Sequence, residues 1–424
     1  MAINCFPGYE YVFDENNKPH NMYRGVDVGF GGYVYAEPGM YTNVALLDVG
    51  NMHGASIIAL EKFGEHTKNY KEIREARMLL KRGRYEEVRA LLGGKLSPLI
   101  DKIESMPENS EEQLAFVDGL QGALKLILNS TYGIAAATFE NPLRDKRDVN
   151  NIIALRGALF MKTLQDAVVA MGFKVIHIKT DSIKIPGATD NIIQFVMDFG
   201  KKYGYEFEHE CTYEKICLVN DAVYIAKYDD KGIRNKHGKH AGEWTATGAQ
   251  FQQPFVFKTL FSKEPITHDD LCESKSTSKG LGLYLDMVEY TAESGYGEHD
   301  YHFIGKVGQF TPIKSGCGGG ILVREKDGKY DAVTGTKKDT YDKKGGEEPV
   351  YRWLESDVVE KTDKWGDVDL SYYQVLVDKA VDSISKYGDF NWFTSDDPVP
   401  PVKEDDFPSF MNIPETDEEE VPFL

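Results

Sequence analysis

Val175–Pro186 reads V-I-H-I-K-T-D-S-I-K-I-P. Two short, largely apolar runs, Val175–Ile178 and Ser182–Ile185, flank a polar tip, Lys179-Thr180-Asp181. The pattern predicts a tight β-hairpin, with strand propensity on both arms. A carboxylate at such a tip projects away from the core. There it suits a hard cation that takes oxygen ligands and keeps positions open for substrate. Asp is also an ordinary turn residue, so the metal reading requires a second carboxylate from another strand end.

Upstream, Val44-Ala45-Leu46-Leu47-Asp48-Val49 supplies one. It is a continuous apolar run, predicted as a strand buried on both faces, and it ends in an aspartate. Gly50–Ala55 turns the chain, and Ser56-Ile57-Ile58-Ala59-Leu60 begins a helix. Read alone, Asp48 is equally a cap or turn residue. Before it, residues 1–62 mix short strands with turns, among them Gly29-Phe30-Gly31-Gly32 ahead of Tyr33-Val34-Tyr35.

Between the two aspartates the pattern is helical. Lys71–Leu92 is rich in Glu, Arg, Leu and Ala and predicts the first arm of a helical hairpin spanning residues 66–134. Arg77 and Lys81 lie four apart on one face and repel unless an anion sits between them; Glu72, Glu75 and Glu86 are the alternative partners on a solvated surface. After a break at Pro107–Ser110, a second helix is predicted over Glu111–Tyr132. Lys125, Asn129 and Tyr132 form one polar stripe there among Leu124, Leu126, Ile127 and Leu128, and a lysine and asparagine in that setting are not expected to be simply solvated. A basic loop, Arg144-Asp145-Lys146-Arg147, precedes a helix over Val149–Met171 that carries Arg156 and leads into the hairpin. Asn191–Tyr203 reads as an amphipathic helix, and Tyr205–Glu210 and Lys215–Tyr228 as strands.

Residues 231–395 carry less pattern. A basic loop (Lys231, Arg234, Lys236, Lys239) leads to a helix over Gln250–Phe261. Tyr301–Arg324 is strand-like around Gly316-Cys317-Gly318-Gly319-Gly320. That glycine run lacks the spacing of a phosphate loop and reads as close backbone packing or a flexible turn. Leu370–Tyr387 is a predicted helix, and the acidic, Pro-rich tail after Ser395 is predicted to be disordered.

At 424 residues the chain accommodates two or three packed substructures. No apolar run approaches the roughly 18 residues of a membrane span, and the start lacks the regions of a signal peptide. Five cysteines without C-x-x-C spacing point to a reducing, cytoplasmic setting without structural zinc. A net charge of −19 argues against a nucleic-acid binder at face value, but ten acids and one lysine follow Ser395, so about half of the excess lies in the tail.

Taken together, these stretches resemble the family B DNA polymerases. Asp48-Val49-Gly50-Asn51-Met52-His53-Gly54-Ala55-Ser56-Ile57-Ile58 is similar to the first palm motif, D-x-x-S-L-Y-P-S-I-I. Lys125–Gly133 resembles the fingers motif K-x-x-x-N-S-x-Y-G nearly letter for letter. His177–Ser182 stands where the family writes Y-G-D-T-D-S. Gly31-Gly32 resembles the glycine pair that precedes the polymerase domain, and Arg77-x-x-x-Lys81 the first fingers helix. The likeness covers roughly residues 25–230, with the motifs in the family's order and in the style of phage replicative enzymes.

The resemblance implies an α+β right-hand fold of palm, fingers and thumb, its palm an antiparallel sheet with flanking helices. Residues 1–62 and 135–230 would be palm, 63–134 the fingers hairpin, 231–395 a thumb with a β-rich insertion, and 396–424 a disordered tail. It implies two Mg²⁺ ions (Mn²⁺ the substitute) about 4 Å apart on Asp48 and Asp181, with Val49 contributing to the metal site. Arg77, Lys81 and Lys125 would grip the incoming dNTP, with Asn129, Met52, His53 and Tyr132 beside its base and sugar. Lys179, Tyr224, Gly31 and Gly32 would meet primer-template DNA. Glu210, Ser182 and Thr180 are further candidates, Glu210 as an aid to a metal.

Three departures stand out. Lys179 replaces the first aspartate of the third motif. His53 replaces the tyrosine that crowds the sugar 2′-position. Only Tyr224 of Asn220–Tyr224 fits the family's K-K-R-Y run. The implied activity is primer extension in phage replication in the host cytoplasm, with proofreading either supplied by a separate exonuclease subunit or lacking. The tail resembles the acidic tips with which single-strand-binding proteins dock on replisome partners. The rival reading is a catalytically inactive, polymerase-like DNA-binding scaffold.

Overall fold

The computed structural model describes residues 5–144, 151–229, 241–278, 280–333, 348, 350–397 and 399. Residues 145–147, the loop at Lys231–Lys239 and nearly all of the acidic tail therefore lie outside the described residues. The described residues divide into two units, one of 5–221 with 227–229, 241 and 242, the other of 222–226 with 243–397.

In the first unit, three short antiparallel strands, β1 (Glu10–Phe13), β2 (Pro19–Tyr23) and β3 (Val26–Asp27), precede the main sheet. That sheet contains β4 (Val34–Ala36) and β5 (Gly39–Val49), then, after the helices, β6 (His177–Lys179), β7 (Ser182–Pro186) and β8 (Phe207–Asn220). Within this unit the order is β8–β5–β7–β6–β4, every neighbouring pair antiparallel. The two strands expected at Tyr205–Glu210 and Lys215–Tyr228 are thus joined differently: β8 runs unbroken through the gap between them.

One face of the sheet is dry because β5 and β7 alternate there. Ala45, Leu47, Val49, Ile178, Ile183 and Ile185 bury against Leu155, Ala158, Leu159 and Phe160 of a helix spanning Ile152–Ala170, and against Ile192 and Val196 of one spanning Asp190–Lys202. Leu46 and Asp48, on the other face, are only partly covered. The run that read as buried on both sides is therefore one-sided at its end.

Between β5 and β6 the helices are α1 (Met52–Ala59), α2 (Thr67–Lys81), α3 (Tyr85–Arg89), α4 (Ser97–Ser105), α5 (Glu111–Ala136) and α6 (Ile152–Ala170), with α7 (Asp190–Lys202) following β7. The helix expected over Lys71–Leu92 stops at Lys81, because Gly83 takes φ 69° and turns the chain. Ala76, Leu79, Leu80, Val88, Ile100, Ile103, Val117 and Leu124 then close a small core of their own among α2–α5.

The second unit is built on antiparallel sheets. One orders Glu273–Ser276, Val307–Ile313 and Arg352–Glu355; another orders Tyr301–Gly305, Gly282–Asp286, Ile321–Lys326 and Lys329–Ala332. Leu283, Leu285, Phe310, Ile313, Leu322, Trp353 and Tyr373 form its core, Tyr373 from the helix Leu370–Ser385. The glycine run resolves toward backbone packing. A Cβ on Gly319 would stand 3.1 Å from the Trp353 backbone, and one on Gly320 2.7 Å from the Met287 sulfur. The helix expected over Gln250–Phe261 is interrupted at Pro254, which has no N–H to continue it.

Candidate active site

The hairpin forms as its sequence predicts, with His177 opposite Lys184, Ile178 opposite Ile183 and Lys179 opposite Ser182. Its tip is Thr180-Asp181, where Thr180 adopts φ 58°, a strained choice for a β-branched residue. The preceding segment holds that tip in place. The Thr180 N–H donates to the Tyr33 carbonyl at 3.0 Å, and Gly32, at φ 137°, lies so close that a Cβ there would meet Thr180 Cγ2 at 2.8 Å. Gly31, by contrast, has nothing within 4 Å of an added Cβ. Ser182 Oγ donates weakly to the Lys179 carbonyl at 3.4 Å.

The two aspartates meet through pairing of β5 with β7. Asp48 lies opposite Ser182, and the next residue, Val49, donates its N–H to the Asp181 carbonyl at 2.9 Å. Asp48 shares the open face with Ser182 and Lys184, since the alternate residues Leu47 and Ile183 are in the core. On its other side β5 pairs with β8, where the register slips between Leu46 and Leu47. The slip leaves Glu210 as the extra residue of a bulge, a device that re-aims a side chain, and sets Glu208 opposite Asp48. Burial, reinforced by the negative charge of Glu210, raises the Asp181 carboxyl above its ordinary range. Among the described residues no three His, Cys, Asp or Glu side chains form a closed metal-binding group.

Along this same face runs a polar relay that no motif announced. Burial is the main force lowering the Lys184 ammonium to about 8, with the negative charge of Asp48 opposing that shift. His177 Nε2 stands 3.1 Å from the Asp221 carbonyl and must donate there, so Nδ1 accepts from Lys184 Nζ at 3.0 Å. Lys179 Nζ donates to the same carbonyl at 3.1 Å, so this lysine is anchored to backbone.

Burial, with Lys184 beside it, brings His177 down to about 4. Between pH 6.5 and 4 the unfolded imidazole therefore holds a proton that the folded one lacks, and stability must fall as pH drops through that window. The loss approaches the order of 3 kcal/mol at its limit. His177→Gln, which retains an acceptor for Lys184, should flatten the fall in urea midpoint over that range; an unchanged slope would count against a neutral His177.

Helix α2 brings its cations toward the start of β8. Lys81 Nζ donates to Glu208 Oε2 at 2.9 Å. Arg74 bonds the Gly50 carbonyl at 3.1 Å and pairs with Glu206 at 3.6 Å, and Arg82 reaches Glu206 at 3.4 Å. The Nε of Arg77, like that of Arg74, is buried with no hydrogen-bond partner among the described residues. Burial depresses the Arg77 guanidinium, with the charge of Glu208 opposing.

The remaining candidates separate into two groups. His53 and Tyr132 stack at 4.0 Å between ring centroids and 14° between planes, with Asn151 donating to the Tyr132 hydroxyl at 3.2 Å. The His53 Nδ1 is buried without a partner among the described residues, and burial lowers its pKa. Met52 is core, filling the notch left by Gly157, where a Cβ would meet its sulfur at 2.7 Å. Lys125 and Asn129 instead face solvent, because the buried stripe of α5 is Val117, Leu124, Leu128 and Ala135. Tyr224 belongs to the residues grouped with the second unit.

Glu206 and Glu208 were missed as site residues, though Glu206-Phe207-Glu208-His209-Glu210 alternates with the period of a strand that has one acidic face. No family model matches the chain. It is 24% identical over 271 residues to a DNA polymerase of Archaeoglobus fulgidus, a match that takes in 59% of this chain and 32% of that protein. The chain thus spans about a third of the length of the curated relative it matches. Among solved structures it is similar to the family B DNA polymerase from the hyperthermophilic archaeon Pyrobaculum calidifontis. That likeness covers 83% of this chain and 46% of the other, at 13% identity and a TM-score of 0.43.

Proposed function

We propose that this chain is a template-directed DNA polymerase of family B, phage-type, in which the antiparallel sheet bearing Asp48 and Asp181 is the palm and α2–α5 the fingers. The observation that carries the reading is that the backbones of Asp48 and Asp181, far apart in sequence, are paired side by side at one end of a sheet that α2 approaches with cations. Distant sequence similarity to a DNA polymerase supports it.

The donor set fits magnesium. This ion keeps several waters and takes one or two carboxylates plus substrate phosphates, not a closed protein cage. Two carboxylates on adjoining backbone, one of them disfavoured as an anion by burial and by Glu210, would make such an open site. Asp48 and Asp181 would hold the metal, with the Val49 carbonyl alongside. When bound, the two ions supply charge that activates the primer hydroxyl and offsets charge building on the phosphate. The chain's own part is positioning. Arg77 offers a buried, unpaired guanidinium N–H for a phosphate oxygen, Lys81 a second cation one turn away, and Lys125 a third from the solvent face of α5. The His53–Tyr132 stack presents a flat, partly buried surface for the sugar and nascent base pair.

The deciding experiment is extension of an end-labelled primer on a template with dNTPs and Mg²⁺. Growth of the primer is the expected result; DNA binding without growth would assign the chain to the inactive-scaffold class. Lys125→Ala should raise the KM for dNTP about tenfold, the scale of a charge-assisted contact, while DNA affinity changes little. An unaltered KM would remove Lys125 from the nucleotide site.

A further inference from the structure

Lys81 is already occupied. Its ammonium donates to Glu208, and the two side chains are 30% and 26% exposed, so the pair is partly shielded from water. Glu208 lies directly opposite Asp48 in the β5–β8 register. Any triphosphate that engages Lys81 together with Arg77 meets an ammonium already bonded to a carboxylate, and must share it with Glu208 or displace that carboxylate next to Asp48.

The helix does not need this pair to stay docked. Arg74 is bonded to the Gly50 carbonyl, and Arg74 and Arg82 share Glu206 on the same side of the sheet. The Lys81–Glu208 pair is therefore separable from the attachment of α2. Arg77 Nε has no partner among the described residues, whereas Lys81 is already bonded to Glu208, and a phosphate competes with that carboxylate for it.

We infer that Glu208 is a positioning residue that sets triphosphate affinity: it holds Lys81 in register when no nucleotide is present and competes with the phosphates for it when one arrives. The inference rests on the polymerase reading for the identity of the ligand, but the exchange is measurable without turnover. The full chain and its Glu208→Gln, Glu208→Asp, Lys81→Ala and Lys81→Ala/Glu208→Gln variants are titrated with dATP at equilibrium, and each is checked for an unchanged urea midpoint.

Glu208→Gln should tighten dATP binding about three- to fivefold, the scale of a partly exposed ion pair. Glu208→Asp should restore affinity toward that of the parent, and Glu208→Gln should have almost no effect once Lys81 is alanine. An equal tightening in both backgrounds would show that only general charge was removed, and weaker binding in Glu208→Gln would show that Glu208 helps hold the substrate; either overturns the exchange. Primer extension by the parent without coupling in this cycle defeats the exchange alone. Coupling in a chain that extends no primer defeats the polymerase reading and leaves the exchange standing.

Discussion

Asp181→Asn should abolish primer extension, by at least about a thousandfold, while leaving the affinity for primer-template DNA within about twofold. The substitution keeps the shape of the side chain and removes its charge, so only a role that depends on charge is lost. Removing a group that stabilises the transition state electrostatically costs about 10²–10³ in rate at single hydrogen-bond donors, and loss of a metal ligand is the more severe case. Asp48→Asn should behave alike, because each carboxylate is half of one site. Stability supplies an independent check. Burial and Glu210 disfavour the ionised form of Asp181 in the folded chain, so a neutral isostere should hold or raise the urea midpoint while activity disappears. That combination is expected where a strained site is kept for function. A purely structural Asp181 would give the reverse, a lower midpoint with extension preserved, and unchanged extension in either variant would remove the assignment.

How much of this was legible in the chain depends on whether a feature is local. The hairpin tip, the strand ending in Asp48 and the long helix carrying Tyr132 are written in short-range pattern, and each stands within a few residues of its expected bounds. The pairing of Asp48 with Glu208 is not, because it requires β8 to align beside β5 and then slip by one residue at Glu210. A one-residue register choice is set by which face is buried, and no window of sequence contains both strands. The cations show the same division. Spacing alone puts Arg77 and Lys81 on one face and offers Glu72, Glu75 and Glu86 as partners, whereas Lys81 bonds Glu208, 127 residues away. For Lys125 and Asn129, the hydrophobic neighbours argue against simple solvation. The structure leaves Leu126 and Ile127 exposed along with Lys125 and Asn129, so apolar neighbours are no guide to burial there.

Gly32→Ala should lower the rate of extension about a hundredfold with little change in DNA affinity, and this outcome separates two explanations of the glycine pair. The resemblance to polymerases implies that Gly31 and Gly32 meet DNA. The geometry gives Gly32 a different task. Its φ of 137° is one that L side chains rarely adopt, and a Cβ there would press on Thr180 Cγ2 at 2.8 Å and Oγ1 at 2.9 Å. Thr180 is itself bonded through its N–H to the Tyr33 carbonyl, so the tip cannot simply swing aside. Whatever displacement results is passed to Asp181, whose carbonyl accepts from Val49 at 2.9 Å and so fixes its relation to Asp48. A misplacement of about 1 Å can cost about 10²-fold in rate. Gly31→Ala meets no such obstacle, since nothing lies within 4 Å, and it should leave the rate intact unless the pair contacts DNA. Thr180→Gly in the Gly32→Ala background removes both close contacts and frees φ at the tip. It should recover most of the lost rate, while the backbone strain at residue 32 persists as a stability deficit of about 1–3 kcal/mol. Weakened DNA binding by Gly32→Ala, with no rescue from Thr180→Gly, would instead assign the glycine to the DNA surface.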